Sequence, residues 1–132
     1  MDINNIEEVR AFFANDKYAA DAGCYIEAIG EEYAKVSLTI DERHKNAVGG
    51  VMGGVYFTIA DFAFAVATNR SRPGTVSVSA DITFVGTPKS DKIFAETEKI
   101  KEGRSTCCHV VRVNDALGNP LAVVKFLGFH KQ

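Results

Sequence analysis

The stretch NAVGGVMGGVYFTIADFAFAVATN, residues 46–69, decides how the rest of the chain must fold. Four glycines, Gly49, Gly50, Gly53 and Gly54, lead into a segment that is apolar on nearly every side. Val55, Tyr56, Phe57, Ile59, Ala60, Phe62, Ala63, Phe64, Ala65, Val66 and Ala67 leave no obvious face for solvent. A helix apolar all round either spans a membrane or is wrapped by other protein. A span needs roughly 20 apolar residues; this run is shorter and carries Asp61 near its middle. The sequence therefore predicts a helix enclosed by a sheet.

Asp61 is the anomaly in that helix. A carboxylate in apolar surroundings is costly unless it is paired, hydrogen-bonded or protonated. It is either a structural group bonded to a neighbour or a reactive one with a perturbed pKa. The glycines favour chemistry. Gly53 and Gly54 fall where the helix should begin, so their N–H groups lack intrahelical partners and sit at the positive end of the dipole. Without a Cβ they let a ligand carbonyl approach closely. A carboxylate together with an oxyanion-binding helix start is a minimal kit for acyl transfer.

Spacing then constrains the assembly. Eight residues separate Gly53 from Asp61, which is about 12 Å along a helix. Both groups cannot touch one reacting carbonyl, where contacts must be near ~3 Å. If they act on one substrate they come from different subunits, which predicts a dimer with two active sites at its interface.

Composition narrows the function classes. The 132 residues predict one domain with a core of its own. Lys and Arg total 15 against 17 Asp and Glu, so no charge excess points to nucleic acid or an anionic membrane. The start, Met1-Asp2-Ile3-Asn4-Asn5, lacks the basic and apolar regions of a signal peptide. Cys24, Cys107 and Cys108 make an odd count without metal-ligand spacing, which fits reduced thiols in a cytoplasmic protein.

Outward from the central helix, the pattern alternates as strands do. Residues 5–15 read as an amphipathic helix with Asn5 as N-cap and Glu8 three residues on. Asp16–Gly23 reads as a loop flanking a substrate entrance. Strands are expected at Cys24–Ile29 and up to Ile40, with Gly30-Glu31-Glu32 as their turn. A polar loop, Asp41–Val48, delivers Asn46 to the glycines, and His44 in it is either an ordinary loop residue or part of the entrance lining. After the breakers Arg70–Gly74, Val76, Val78, Ala80, Ile82 and Phe84 point one way and Ser77, Ser79, Asp81 and Thr83 the other. Strands at Lys92–Lys101 and Ser105–Asn114 flank a hairpin at Glu102-Gly103-Arg104. A turn through Gly118-Asn119-Pro120 leads to a last strand, Leu121–His130. One helix, two strands, a long helix and four strands make an α+β fold in which antiparallel strands curl round a helix. His109 reads as a packed or surface strand residue, and Cys107 and Cys108 as core and surface strand residues.

The arrangement of Asn46, Met52-Gly53-Gly54 and Asp61, followed by an Ala-rich helix, resembles the hotdog-fold acyl-CoA thioesterases of the phenylacetate-degradation (PaaI-like) type. Thr75–Phe84 and Gly103–Thr106 match in pattern, so the resemblance covers most of the chain. It implies a six-stranded antiparallel sheet around a long helix, in a homodimer or homotetramer. Asp61 would match the carboxylate that attacks the thioester or activates water, and Gly53 the glycine whose N–H polarises the carbonyl. Asn46 would help orient the site, and Ser77 would hold the attacking water. Met52 stands where the family has His; a thioether neither titrates nor donates a hydrogen bond.

Met52 and Gly54 would flank the substrate. Lys89, Arg104, Ser105 and Thr106 lie at strand ends, as solvated turn residues or as contacts for a coenzyme A phosphate. The implied reaction is hydrolysis of an aromatic or short- to medium-chain acyl-CoA, with coenzyme A as part of the substrate and no metal or redox cofactor. Two rivals stand beside it. One is a non-catalytic acyl-CoA-binding or sensing protein, and the other is dehydration of a hydroxyacyl thioester, for which no His lies near Asp61 in the motif.

Overall fold

The computed structural model describes residues 1–131. Its elements are α1 (Ile6–Phe13), α2 (Lys17–Ala22), β1 (Tyr25–Gly30), β2 (Tyr33–Thr39), a 3₁₀ turn (Glu42–His44), α3 (Gly53–Asn69), β3 (Thr75–Phe84), β4 (Lys92–Glu102), β5 (Thr106–Asp115) and β6 (Pro120–His130). The strands form one antiparallel sheet in the order β1-β2-β4-β5-β6-β3. α3 touches every strand of it. The expected six-stranded sheet around a long helix is the observed architecture.

Alternation along β6 fixes which face is the core. Ala122, Val124 and Phe126 are buried, while Val123, Lys125, Leu127 and Phe129 point outward. α3 lays Ile59, Ala60, Ala63, Val66 and Ala67, all fully buried, on that face. Phe64 stacks on Phe126 at 4.7 Å with the rings 9° apart. Burying each such phenylalanine contributes about 1.5–3 kcal/mol. The strand accommodates the helix at Gly128, where a Cβ would fall 2.8 Å from Cys107 Sγ and 2.9 Å from Phe64 Cζ.

Three expectations need correction. First, α3 is not enclosed all round. Gly54 and Asp61 are exposed and Thr58 and Ala65 half-buried, a strip at i, i+4, i+7 and i+11 that the sheet cannot reach. Small or short side chains in an apolar background hid it from a composition reading.

Second, Lys17–Ala22 is helical rather than loop. Three alanines supply helix propensity, and Gly23 at φ 97° ends the helix in the left-handed region. The segment lines the depressions beside the exposed strip of α3.

Third, the clean alternation of β3 is broken by a bulge between Ser77 and Ser79. Ser77 pairs with the buried Gly128, whereas Ser79 pairs with the outward Leu127 and Val76 with the outward Phe129. Directly opposed residues share a face, and the extra residue, Val78, reverses the phase. Thr75 and Ser77 therefore face the helix side together with Ala80, Ile82 and Phe84, while Val76 joins Ser79, Asp81 and Thr83 outside. β3 is an edge strand, and most of it is exposed on both faces.

Candidate active site

The loop before α3 is closed on itself by Asn46. Its Oδ1 accepts from the N–H groups of Val48 and Gly50, both at 3.0 Å, and its own N–H donates to the Gly50 carbonyl at 2.7 Å. Gly49 takes φ 91° within that turn, a conformation a side chain would resist. Met52 N–H then donates to His44 O at 2.9 Å, and the helix starts one residue later.

Buried His44 is a latch rather than a base. Its Nδ1 accepts from Asp41 N–H at 2.9 Å, so Nε2 carries the proton donated to the Ala22 carbonyl at 2.6 Å. The imidazole thereby ties the loop to the end of α2, and its ring lines a depression of about 330 Å³ with Tyr18, Arg43, Met52, Gly54 and Thr58.

At the helix start, Met52 is the N-cap but supplies no side-chain cap bond. Among the described residues, the N–H groups of Gly53 and Gly54 have no hydrogen-bond partner. They are orphan donors at the positive end of a 17-residue helix. Gly53 lies against Phe84, and Gly54 opens to solvent. The Met52 side chain is half exposed beside them.

Asp61 sits two turns further along, on the uncovered strip of α3. A second depression, about 440 Å³, surrounds it with Asp16, Lys17, Tyr18 and Ala19 from the α2 side and Phe57, Thr58 and Phe62 from α3. The two depressions share Tyr18 and Thr58, so they run together along the exposed face of the helix. The Asp61 carboxyl reaches solvent, yet its flanks are crowded with protein. That burial raises its pKa above 3.8, and the Asp16 carboxylate adds to the rise.

The Asp61 carboxyl has no hydrogen-bond partner among the described residues, so its oxygens are free. Asp16 and Thr58 were not singled out in the sequence. The only signal for Asp16 was its place ahead of Lys17-Tyr18-Ala19, as a helix N-cap.

Ser77 faces the same side of the sheet as α3 because of the bulge described above. Lys89 stands at the far end of β5 from Arg104, Ser105 and Thr106. Its N–H donates to Asp115 Oδ2 at 2.8 Å, whereas Thr106 begins the ten-residue strand that Asp115 ends. That separation is roughly 30 Å. Lys89 lies beside Lys45, Gly49 and Gly50 in a depression of about 440 Å³. One protomer thus does not bring all four of the expected phosphate contacts together.

The sequence model described as the thioesterase superfamily matches residues 48–119, from the glycine-rich loop to the last turn of the sheet. The chain belongs to the thioesterase superfamily. Among curated relatives of this thioesterase, an Archaeoglobus fulgidus protein provisionally named an esterase is 28% identical over 122 residues, covering 91% of this chain and 79% of that protein.

The acyl-coenzyme A thioesterase PaaI of Escherichia coli K12 is 25% identical over 108 residues, covering 81% of this chain and 77% of its own. A solved structure of the E. coli PaaI protein has a TM-score of 0.85 at 23% identity, over 92% of this chain and 89% of that one. A thioesterase described as hypothetical, from Streptococcus pneumoniae TIGR4 and solved with coenzyme A, has a TM-score of 0.80 at 20% identity, over 90% and 96% of the two chains. The fold is the hotdog fold of the PaaI-like thioesterases. No helix among the described residues is long and apolar enough to cross a membrane.

Proposed function

We propose that this thioesterase hydrolyses an aromatic or short- to medium-chain acyl-CoA to the free acid and coenzyme A. One observation carries the reading. A carboxylate of raised pKa at Asp61 and orphan N–H groups at Gly53 and Gly54 lie on one helix, about 12 Å apart. A homodimer, or a homotetramer built from such dimers, lets Gly53 of one protomer and Asp61 of its partner act on one thioester. The uncovered strip of α3 and the open helix side of β3 offer the surface for it.

In this scheme the thioester oxygen accepts from Gly53 N–H, and the helix dipole stabilises the developing oxyanion. Asp61 takes one of two parts. It attacks the carbonyl carbon to form a mixed anhydride that water opens, or it takes a proton from a water held by Ser77 as that water attacks. Either way the C–S bond breaks and coenzyme A leaves as the thiol. Asn46 holds the loop that aims Gly53, and Met52 and Gly54 flank the substrate. Lys89 of one protomer and Arg104, Ser105 and Thr106 of another are the phosphate contacts.

The scheme assigns coenzyme A to the substrate and calls on no metal or redox cofactor. A cytoplasmic setting fits the three unpaired cysteines. The E. coli relative named as an acyl-coenzyme A thioesterase and the S. pneumoniae structure solved with coenzyme A support the substrate class.

Release of free thiol from a panel of aromatic and straight-chain acyl-CoAs tests the reading, with Asp61→Ala beside wild type. Release that disappears in a folded Asp61→Ala variant is expected. Release that survives the substitution makes Asp61 structural. The half-exposed Met52 favours one second reading, an acyl-CoA-binding protein. Its mark would be tight coenzyme A binding with no thiol released from any substrate.

A further inference from the structure

Beyond the C-terminal end of α3 lies a second buried set of reactive side chains that the hydrolysis does not use. Glu102 ends β4 and pairs directly with Cys107 on β5. His109 follows two residues later, on the same face of the strand. One ligand atom from each of Glu102, Cys107 and His109 lies within 4.8 Å of the other two.

The hydrogen bonding there is incomplete. His109 is fully buried, edge-on to Phe64 at 5.4 Å, and neither of its ring nitrogens has a partner. Glu102 Oε2 stands 3.8 Å from His109 Nε2, too far for a hydrogen bond. His130 is buried close by. Thr75 Oγ1 donates its one proton to the Arg72 carbonyl at 3.0 Å, so the 2.8 Å contact with His130 must be donated by Nδ1–H. His130 Nε2 lies 2.5 Å from Glu102 Oε1, a separation that needs a proton between the two atoms, so the imidazole is paired with that carboxylate.

We propose that Glu102, Cys107 and His109 bind a divalent cation of the zinc class, with His130 holding Glu102 beside them. A tetrahedral zinc with bonds of about 2.0–2.3 Å needs its ligand atoms roughly 3.5 Å apart. The 3.8 Å between His109 Nε2 and Glu102 Oε2 nearly meets that, and the rest close by about an ångström. Thiolate, imidazole and carboxylate together suit a borderline-soft ion rather than magnesium or calcium, which take oxygen ligands. One thiolate and one carboxylate offset the ion's two positive charges, with the Arg72 guanidinium outside them on the half-exposed rim.

The surrounding groups are arranged for it. Thr75 orients the His130 ring, and the ring in turn holds Glu102 by Oε1, as outer partners of metal ligands do. Arg72 Nη1, at 2.9 Å, engages Glu102 Oε1 and leaves Oε2 free for the ion. The ligands tie the β4–β5 hairpin together beside the last residues of β6, so the role is structural. Pairwise sequence spacing concealed the site because its residues converge through strand pairing.

Titration of the chelator-dialysed full chain with cobalt(II) tests this directly. One cobalt per chain is expected, with intense thiolate-to-cobalt charge-transfer absorption and the visible bands of a tetrahedral field. Equimolar zinc should abolish both, and should raise the thermal midpoint of the dialysed protein. Cys107→Ser and His109→Asn should lose the absorption, while Cys24→Ser and Cys108→Ser keep it. Wild-type protein without charge-transfer absorption, or absorption that survives Cys107→Ser, overturns the proposal. The wild-type spectrum decides even if a variant fails to fold.

Discussion

The ring of Phe84 lies 3.0 Å from the point where a Cβ on Gly53 would be. The edge strand thus reaches across to the first residue of the helix, and its aromatic ring closes one side of the helix start. A Gly→Ala change in a helix ordinarily stabilises by roughly 0.5–1 kcal/mol. At Gly53 that gain is offset, because Phe84 must move. Gly53→Ala is expected to leave the melting midpoint unimproved and to lower kcat/KM at least ~10-fold by displacing the orphan N–H. Gly54, with nothing within 4 Å of its would-be Cβ, provides the contrast. Gly54→Ala should raise the midpoint by about 2–5 °C. Combining Gly53→Ala with Phe84→Ala should return part of the lost kcat/KM; if it does not, the ring is not the cause.

Asp61 and Asp16 form the second prediction. Burial raises the Asp61 pKa first and the Asp16 carboxylate second. In the proposed scheme Asp61 acts ionised, so activity is expected to rise with pH through that elevated pKa. Removing the neighbouring charge in Asp16→Asn lowers the Asp61 pKa and moves the acid limb of the kcat/KM profile toward lower pH. Asp61→Ala removes the limb along with the reaction, a loss of about 10²–10⁴-fold. An acid limb that stays in place in Asp16→Asn would show that another group sets it.

Asp115 carries the third prediction, which concerns acid stability. Burial works to raise its pKa, but the Asn119 side chain and the N–H groups of Lys89, Asn119 and Leu117 together outweigh it, and the value falls from 3.8 to about 2. A depressed folded pKa means the stabilisation is complete above the unfolded value of 3.8 and is lost as pH falls through about 2. Asp115→Asn should therefore be less stable than wild type at neutral pH and lose less stability across that acid window. Denaturant titrations at several pH values measure both; parallel curves for the two proteins would refute the assignment.

Gly128→Ala tests the helix–sheet contact. Its new Cβ would meet Cys107 Sγ at 2.8 Å and Phe64 Cζ at 2.9 Å, both on buried side chains. Overpacking of this kind costs about 1–3 kcal/mol, read as a lower denaturant midpoint with an unchanged slope.

What the sequence revealed depended on whether a signal was local. The apolar run from Val55 to Ala67 required a protein-wrapped helix, and the strands showed in their alternation, because burial imprints a period on each element. Asp61 stood out as a charge in an apolar run. The uncovered strip of α3 did not, since Gly54, Thr58 and Ala65 look no different from a helix packed on small residues. The bulge at Val78 was hidden by a perfect-looking alternation from Val76 to Phe84, because the register comes from β6, where Leu127 and Phe129 point out. The meeting of Glu102, Cys107 and His109 with His130 needs strand pairing, which no spacing along the chain records. Lys89 and Arg104 both read as candidate phosphate contacts, and only the sheet shows that a strand's length divides them.

The bulge at Val78 also changes what kind of mutation can reach Ser77. The direction of that hydroxyl is set by its pairing with Gly128 on β6, with Val78 looped out beside it, and the identity of Val78 hardly enters. Replacing Val78 by another strand-forming residue would leave Ser77 where it is. Losing that one codon would restore perfect alternation with Ser77 and Thr75 still on the helix face, because every remaining pair with β6 is kept. Flattening the bulge with Val78 retained would instead turn both to the opposite face.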